Sequence, residues 1–232
     1  MRAARKAAAE RFQAATLPTS ELEEWRYSQI DALDLNRYQL PTGVPATTAP
    51  EPALVHALVA ELGSGVTLIE TRDGQVAQSH GSDRAVTVQR LSAPDAREVE
   101  LGAVAGEPDA LAILNRAFAP APVRITIAPR SAPKPIVVVH WADSDGSALF
   151  PRLLVEVGGQ AEVSILEVVA GPGAALVVPV TELDVAEAAH LKYLHVQDLG
   201  PLAWQIGLQA SRVGRDASLL SAAVALGGDY AR

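Results

Sequence analysis

Five histidines are the side chains in this sequence best suited to proton transfer or metal ligation near neutral pH. His56 and His80 stand without an acidic residue at ligand spacing, so surface or capping roles suit them. His140 lies beside Trp141 at the end of an apolar run. His190 and His195 are five apart, and side chains alternate across a strand, so the two face opposite ways and do not share a metal. Structural roles are therefore assigned to all five.

The remaining candidates fail on spacing. Asp143-Ser144-Asp145-Gly146-Ser147 resembles the middle of a calcium loop, yet the first loop position would be Trp141 and the twelfth, where a bidentate acid is needed, Arg152. Gly63-Ser64-Gly65 and Gly171-Pro172-Gly173 lack the following Lys-Ser/Thr or glycine spacing of a phosphate cradle, and no Gly-x-Ser-x-Gly elbow occurs. Glu162, Glu182 and Asp184 fall in turns and strands whose polar residues read as a solvated face. The absence of cysteine removes disulfides, thiolate nucleophiles and cysteine-ligated metals. No catalytic residue and no metal ligand is assigned, and cofactor-binding residues stay unassigned; an enzyme is not expected.

The elements that must carry these residues follow from composition. The 232 residues are 49% hydrophobic, enough for a buried core and one to two domains, and 16 prolines with 17 glycines punctuate short apolar runs as in a β-rich protein. With 27 acidic against 19 basic residues the net charge is −8, which disfavours nucleic-acid binding through many phosphate contacts. The first ten residues lack the apolar stretch of a secretory signal, and no uncharged apolar run is long enough to span a bilayer, so a cytoplasmic protein without a membrane partner is expected.

Four regions follow in order. Residues 1–40 read as an amino-terminal helical region, with a helix over 3–15 and a second short helix started by a Ser20/Glu23 capping box. Residues 41–53, rich in Pro and Thr, read as a linker. Residues 54–122 read as α+β: a helix at 55–62, a hairpin of 65–70 with 75–78 around Arg72-Asp73-Gly74, a strand at 86–91 and helix over 95–118. Residues 123–232 read as a β-solenoid core.

The core carries a repeat. Val157-Gly158-Gly159-Gln160-Ala161, Val185-Ala186-Glu187-Ala188-Ala189 and Val213-Gly214-Arg215-Asp216-Ala217 recur every 28 residues, each followed by a second strand. A fainter copy precedes them, with Ile127 lying 28 residues before Val155 and Val137 lying 28 before Ile165. Two short strands plus turns at fixed period are the mark of a solenoid, in which each unit covers the apolar face of the one before. An antiparallel sandwich with evenly spaced hairpins is the alternative. No polar terminal cap follows the third clear unit, so the solenoid is expected to be incomplete at the carboxyl end.

Specific motifs then point to a family. Leu17-Pro18-Thr19 with Glu23-Glu24-Trp25-Arg26-Tyr27-Ser28 resembles the amino-terminal motif of SufD subunits in the SufB/SufD family of SUF iron–sulfur cluster assembly scaffolds. Leu114-Asn115-Arg116-Ala117-Phe118, the segment 125–139, Pro151-Arg152-Leu153-Leu154-Val155 with Gly159-Gln160-Ala161, and Leu226-Gly227-Gly228 with Ala231-Arg232 are similar in the same order. The resemblance implies a right-handed parallel β-helix and a non-catalytic scaffold working with SufB and the ATPase SufC. It also implies that the complete complex, rather than this chain, handles the iron–sulfur cluster. The later core strands and carboxyl-terminal helices of the family have no counterpart here, so a truncated chain that has lost the SufC and SufB contacts is expected. The competing reading is a β-helix carbohydrate-active enzyme using paired carboxylates, for which an aromatic content of 4% is poor.

Overall fold

Short β-branched runs separated by tight turns fold here by pairing each run with the one a repeat away. The computed structural model describes residues 2–41, 53–63, 65–81, 83–91 and 101–232. Most of the expected linker and the first part of the expected 95–118 helix lie outside the described residues. In chain order the elements are α1 (Arg2–Ala14), α2 (Ala53–Leu62), β1 (Thr67–Arg72), β2 (Gln75–His80), β3 (Val86–Arg90) and α3 (Ala110–Phe118). Four three-strand turns follow: β4 (Val123–Ile127), β5 (Ile136–Trp141) and β6 (Ala148–Leu149); β7 (Arg152–Val157), β8 (Glu162–Gly171) and β9 (Leu176–Val177). The third is β10 (Val180–Val185), β11 (His190–Leu199) and β12 (Trp204–Gln205), and the fourth is β13 (Leu208–Val213), β14 (Ser218–Ala225) and β15 (Tyr230–Ala231). No described helix is long and apolar enough to cross a membrane.

The strands stack into three parallel faces, β4-β7-β10-β13, β5-β8-β11-β14 and β6-β9-β12-β15, so the chain is a parallel β-solenoid rather than a sandwich. Val180 pairs with Arg152 below and Leu208 above, and His190 with Glu162 and Ser218, so one turn is the 28-residue repeat of the sequence. The turn that joins the two long strands recurs too, with Gln160, Ala188 and Asp216 at φ of 61°, 55° and 58°. Ala161 and Ala189, next to it, are fully buried at the corner.

The faint first copy has a different register from the one its spacing predicts. Val123 pairs with Leu153 and Ile136 with Ile165, spacings of 30 and 29 residues, while Ala148 pairs with Leu176 at 28. The extra residues are taken up by the two connections of the first turn, one of them the proline-rich stretch after Ile127. The hairpin forms as expected, with Asp73 and Gly74 at positive φ, and β1 joins β5 in parallel while β3 runs antiparallel to β4. Strands from the middle region thus continue the solenoid's own sheets.

The apolar interior collects Ile69, Ile125, Ile136, Leu153, Leu183 and Leu191, all essentially fully buried, each stabilising the fold by about 1.5–3 kcal/mol. A second cluster seats the amino-terminal segment on the corner beside β9 and β12. Trp25 joins Leu176 and Trp204 in this cluster, with the Arg232 guanidinium 4.3 Å from its ring centroid. Asn115 docks α3 by donating to the Pro151 and Val178 carbonyls, each at 2.8 Å. Arg5 of α1 donates to the Ala119 and Pro120 carbonyls just past the end of α3.

Two local expectations are corrected. The Ser20 side chain and amide bond Asp31 instead of forming a capping box, and a three-residue 3₁₀ turn starts at Glu23 with Leu22 as its uncapped entry. Helix does not extend through 101–109: Gly102 and Gly106 adopt positive φ, and α3 starts at an Asp109 cap that accepts the Ala112 amide at 2.8 Å.

Gly171 sits at φ +135°, and a Cβ there would land on the Ala142 carbonyl. Gly171→Ala is expected to cost about 1–3 kcal/mol from overpacking, read as a lower urea midpoint. Gly106→Ala, at φ +62° with open space around it, meets only the left-handed penalty of about 1–2 kcal/mol. A Gly171→Ala protein as stable as the wild type would contradict the close stacking of the second turn on the first.

Candidate functional site

Alternation in β8 sends Val163, Ile165, Glu167 and Val169 into the solenoid, so one strand position that elsewhere carries an apolar residue holds a carboxylate. Neighbouring turns complete the column: Val138 pairs with Glu167, and Glu167 with His195, which pairs with Ala223. Glu167 is fully buried and its two oxygens are enclosed by side chains from three strands, β5, β10 and β11. The Thr181 hydroxyl donates to both oxygens at 3.2 and 2.9 Å, and the Tyr193 hydroxyl donates to Oε2. His140 Nε2 lies 3.1 Å from Oε1, and its Nδ1 is 2.8 Å from the Thr71 hydroxyl. His195 Nδ1 stands 3.9 Å from Oε2, near enough for charge attraction but not for a hydrogen bond, and its Nε2 meets the Gln205 amide at 2.9 Å.

This arrangement decides the ionisation of the group. Burial alone would push the Glu167 carboxyl up, but the His140 contact and the charge of the two imidazoles outweigh it and hold the group well below the usual carboxylate range. The Tyr193 phenol is pushed well up, by burial and by the adjacent carboxylate, so it remains a donor. Because an ionised carboxylate only accepts, His140 must carry its proton on Nε2. The cluster is thus a buried anion with its lone pairs satisfied, built to stay ionised rather than to exchange protons with solvent.

A second buried carboxylate, Glu182, anchors the loop at residues 101–105. Glu182 accepts from the amides of Gly102, Val104 and Ala105 at 2.8, 2.9 and 3.1 Å, and pairs with Arg152 at 2.6 Å. Burial raises its carboxyl, and the Arg152 charge with these amides lowers it by more. The reading of Glu182 as part of a solvated face is therefore corrected: it is 2% exposed, because its strand position points under the 101–105 loop. Neither Glu167 nor Glu182 faces solvent as half of an acid–base pair.

The other sequence candidates lie apart from these clusters. His56 on α2 and His80 at the end of β2 are exposed. His190 and His195 do face opposite ways, His190 outward with Nδ1 2.7 Å from the Ser218 hydroxyl. The Asp143–Ser147 stretch is a turn whose groups bond backbone and neighbours: Asp145 accepts the Ala174 amide at 2.8 Å, and Ser144 donates to Asp73 at 2.6 Å. Glu162 pairs with Lys192 at 3.3 Å and Asp184 with Arg212, both on the outer surface. Among the described residues no three His, Asp or Glu side chains come together in a way that could hold a metal ion. Sequence reading missed Glu167, although the 28-residue period places it directly beneath His195 and would have paired them.

Above the cluster the interior opens into a cup of about 300 Å³ lined by Thr181, Tyr193, His195, Gln197 and Gln205. Residues 140–232, which hold most of this stack, match the family model of the SUF system FeS cluster assembly SufBD core domain. The match supports the SufB/SufD family and begins at His140, the first histidine of the cluster. No curated protein compared with the chain matches it.

Tyr193→Phe keeps the packing and removes one donor from the buried anion, at an expected cost of about 1.5–3 kcal/mol in urea denaturation. Since the Glu167 carboxyl is depressed in the fold, its stabilisation is complete above the ordinary value of about 4.3 and fades as pH falls below it. Glu167→Gln should therefore be less stable at pH 7 and lose less further stability than the wild type between pH 5 and pH 3. Parallel acid profiles for the two proteins would contradict an ionised Glu167.

Proposed function

We propose that this chain is a non-catalytic scaffold subunit of the SUF machinery, of the SufD type, acting in the cytoplasm in iron–sulfur cluster assembly with a SufB-type partner and the SufC-type ATPase. The observation that carries the reading is the match of residues 140–232 to the SufBD core domain, which spans the solenoid from the end of β5 onward. The SufD-type assignment is supported by the ordered motifs, whose buried members, Trp25, Asn115 and Arg152, are those that lock the amino-terminal segments onto the solenoid. A scaffold role is supported by chemistry as well. The buried carboxylates are saturated with donors, and a chain without cysteine leaves the thiolate ligands of a cluster to a partner. The cluster is then cargo of the assembly and not a resident group of this subunit.

The test is genetic and biochemical. Deleting the gene should lower the activity of iron–sulfur dehydratases in cells grown with scarce iron, and the tagged full chain should restore it and co-purify SufB-type and SufC-type proteins. Unchanged dehydratase activity after deletion would overturn the proposal.

A further inference from the structure

Trp25, Arg26, Tyr27 and Ser28 form a tight turn in the amino-terminal segment. Arg26 lies at φ −56° and ψ 139°, Tyr27 at φ 66°, and the Ser28 amide closes the turn on the Trp25 carbonyl at 3.1 Å. This is the geometry of a type II turn, whose third position calls for glycine because a Cβ is strained there. A bulky tyrosine occupies it instead, and it is 95% exposed, so its side chain packs on almost nothing in this chain. The turn is held from both sides: Trp25 and Ile30 are buried, and the Ile30 amide donates to the Ser28 hydroxyl at 3.4 Å. A backbone cost with no return inside the molecule points to a return outside it.

We propose that Tyr27 is the anchor of an interaction surface and inserts into an apolar pocket, rimmed by lysine or arginine, on a partner protein. Its ring is a large, rigid group on a backbone already fixed in position, the kind of side chain that dominates binding energy when a partner buries it. The charge around it selects the partner. Glu21, Glu23, Glu24 and Asp31, all exposed, outnumber Arg26, which pairs with Glu23 at 2.8 Å, and Arg232, which lies over the Trp25 ring. An acidic surround repels nucleic acid and anionic lipid, and in a chain of net charge −8 it disfavours a second copy. A protruding side chain offers no concavity to a small molecule. The inference rests on the turn alone and does not depend on a role in cluster assembly.

The test replaces Tyr27 with photoreactive benzoylphenylalanine in the full chain, in the cells that make it, and identifies the cross-linked peptide by mass spectrometry. One dominant cross-link to another protein is expected, at a peptide with apolar residues and a lysine or arginine beside the point of attachment. With that protein purified, Tyr27→Gly should weaken binding about thirtyfold or more, whereas Tyr27→Phe keeps most of the affinity. Glu23→Lys combined with Glu24→Lys should weaken it too and reduce its sensitivity to salt. Tyr27→Gly should unfold at a urea concentration no lower than the wild type, since glycine takes this turn without strain. No cross-link, a cross-link to a second copy of the chain, or unchanged affinity of Tyr27→Gly would overturn the proposal. So would a lower urea midpoint for Tyr27→Gly, because the ring would then be serving the fold.

Discussion

Every strand of this solenoid must find its backbone partners in the turns above and below, and that requirement fixes the length of a turn. A parallel ladder leaves no freedom for a turn to gain or lose a residue unless a connection absorbs it. The second, third and fourth turns obey this at 28 residues, and even the left-handed residues Gln160, Ala188 and Asp216 fall in step. The first turn departs from it only in its two connections, while its strands remain in register with the rest. Surface charges follow the same beat, with Arg212 over Asp184 and Arg215 over Glu187, one turn apart. Such exposed pairs add little stability individually.

Given that ladder, interior side chains become columns, and a column tolerates an ionised group only if adjacent turns supply its partners. Glu167 meets this condition through Thr181, Tyr193 and His140, drawn from three separate strands. Glu182 meets it through Arg152 and three amides of the 101–105 loop. The two differ in consequence. Glu167 ties successive turns to one another from inside, whereas Glu182 ties the 101–105 loop to the outside of the stack, where its partner Arg152 also bonds Asn115.

The hairpin at Asp73-Gly74, the helices before it and the repeat were legible in the sequence because each is a local or strictly periodic signal. The solenoid rather than a sandwich followed from the same period, and the placement of His190 and His195 on opposite faces followed from strand alternation. Less was legible where distant residues compete for the same groups. Ser20 gives its side chain to Asp31 instead of to its own helix, and the amides of 102–105 are taken by Glu182, which leaves α3 only its last nine residues. Glu182 read as solvated because its sequence neighbours are polar, and burial came from a loop about 80 residues earlier.

By itself, then, the sequence set the 28-residue period of the later turns and the opposite facing of His190 and His195, since these depend only on period and alternation. The lack of cysteine likewise settled that no thiolate site resides in the chain. Only the tertiary structure decided that one inward position, Glu167, becomes an enclosed anion. That depends on which residues meet across turns and sheets. Desolvation and hydrogen-bond satisfaction act on that neighbourhood in space, and adjacency along the chain does not reveal it.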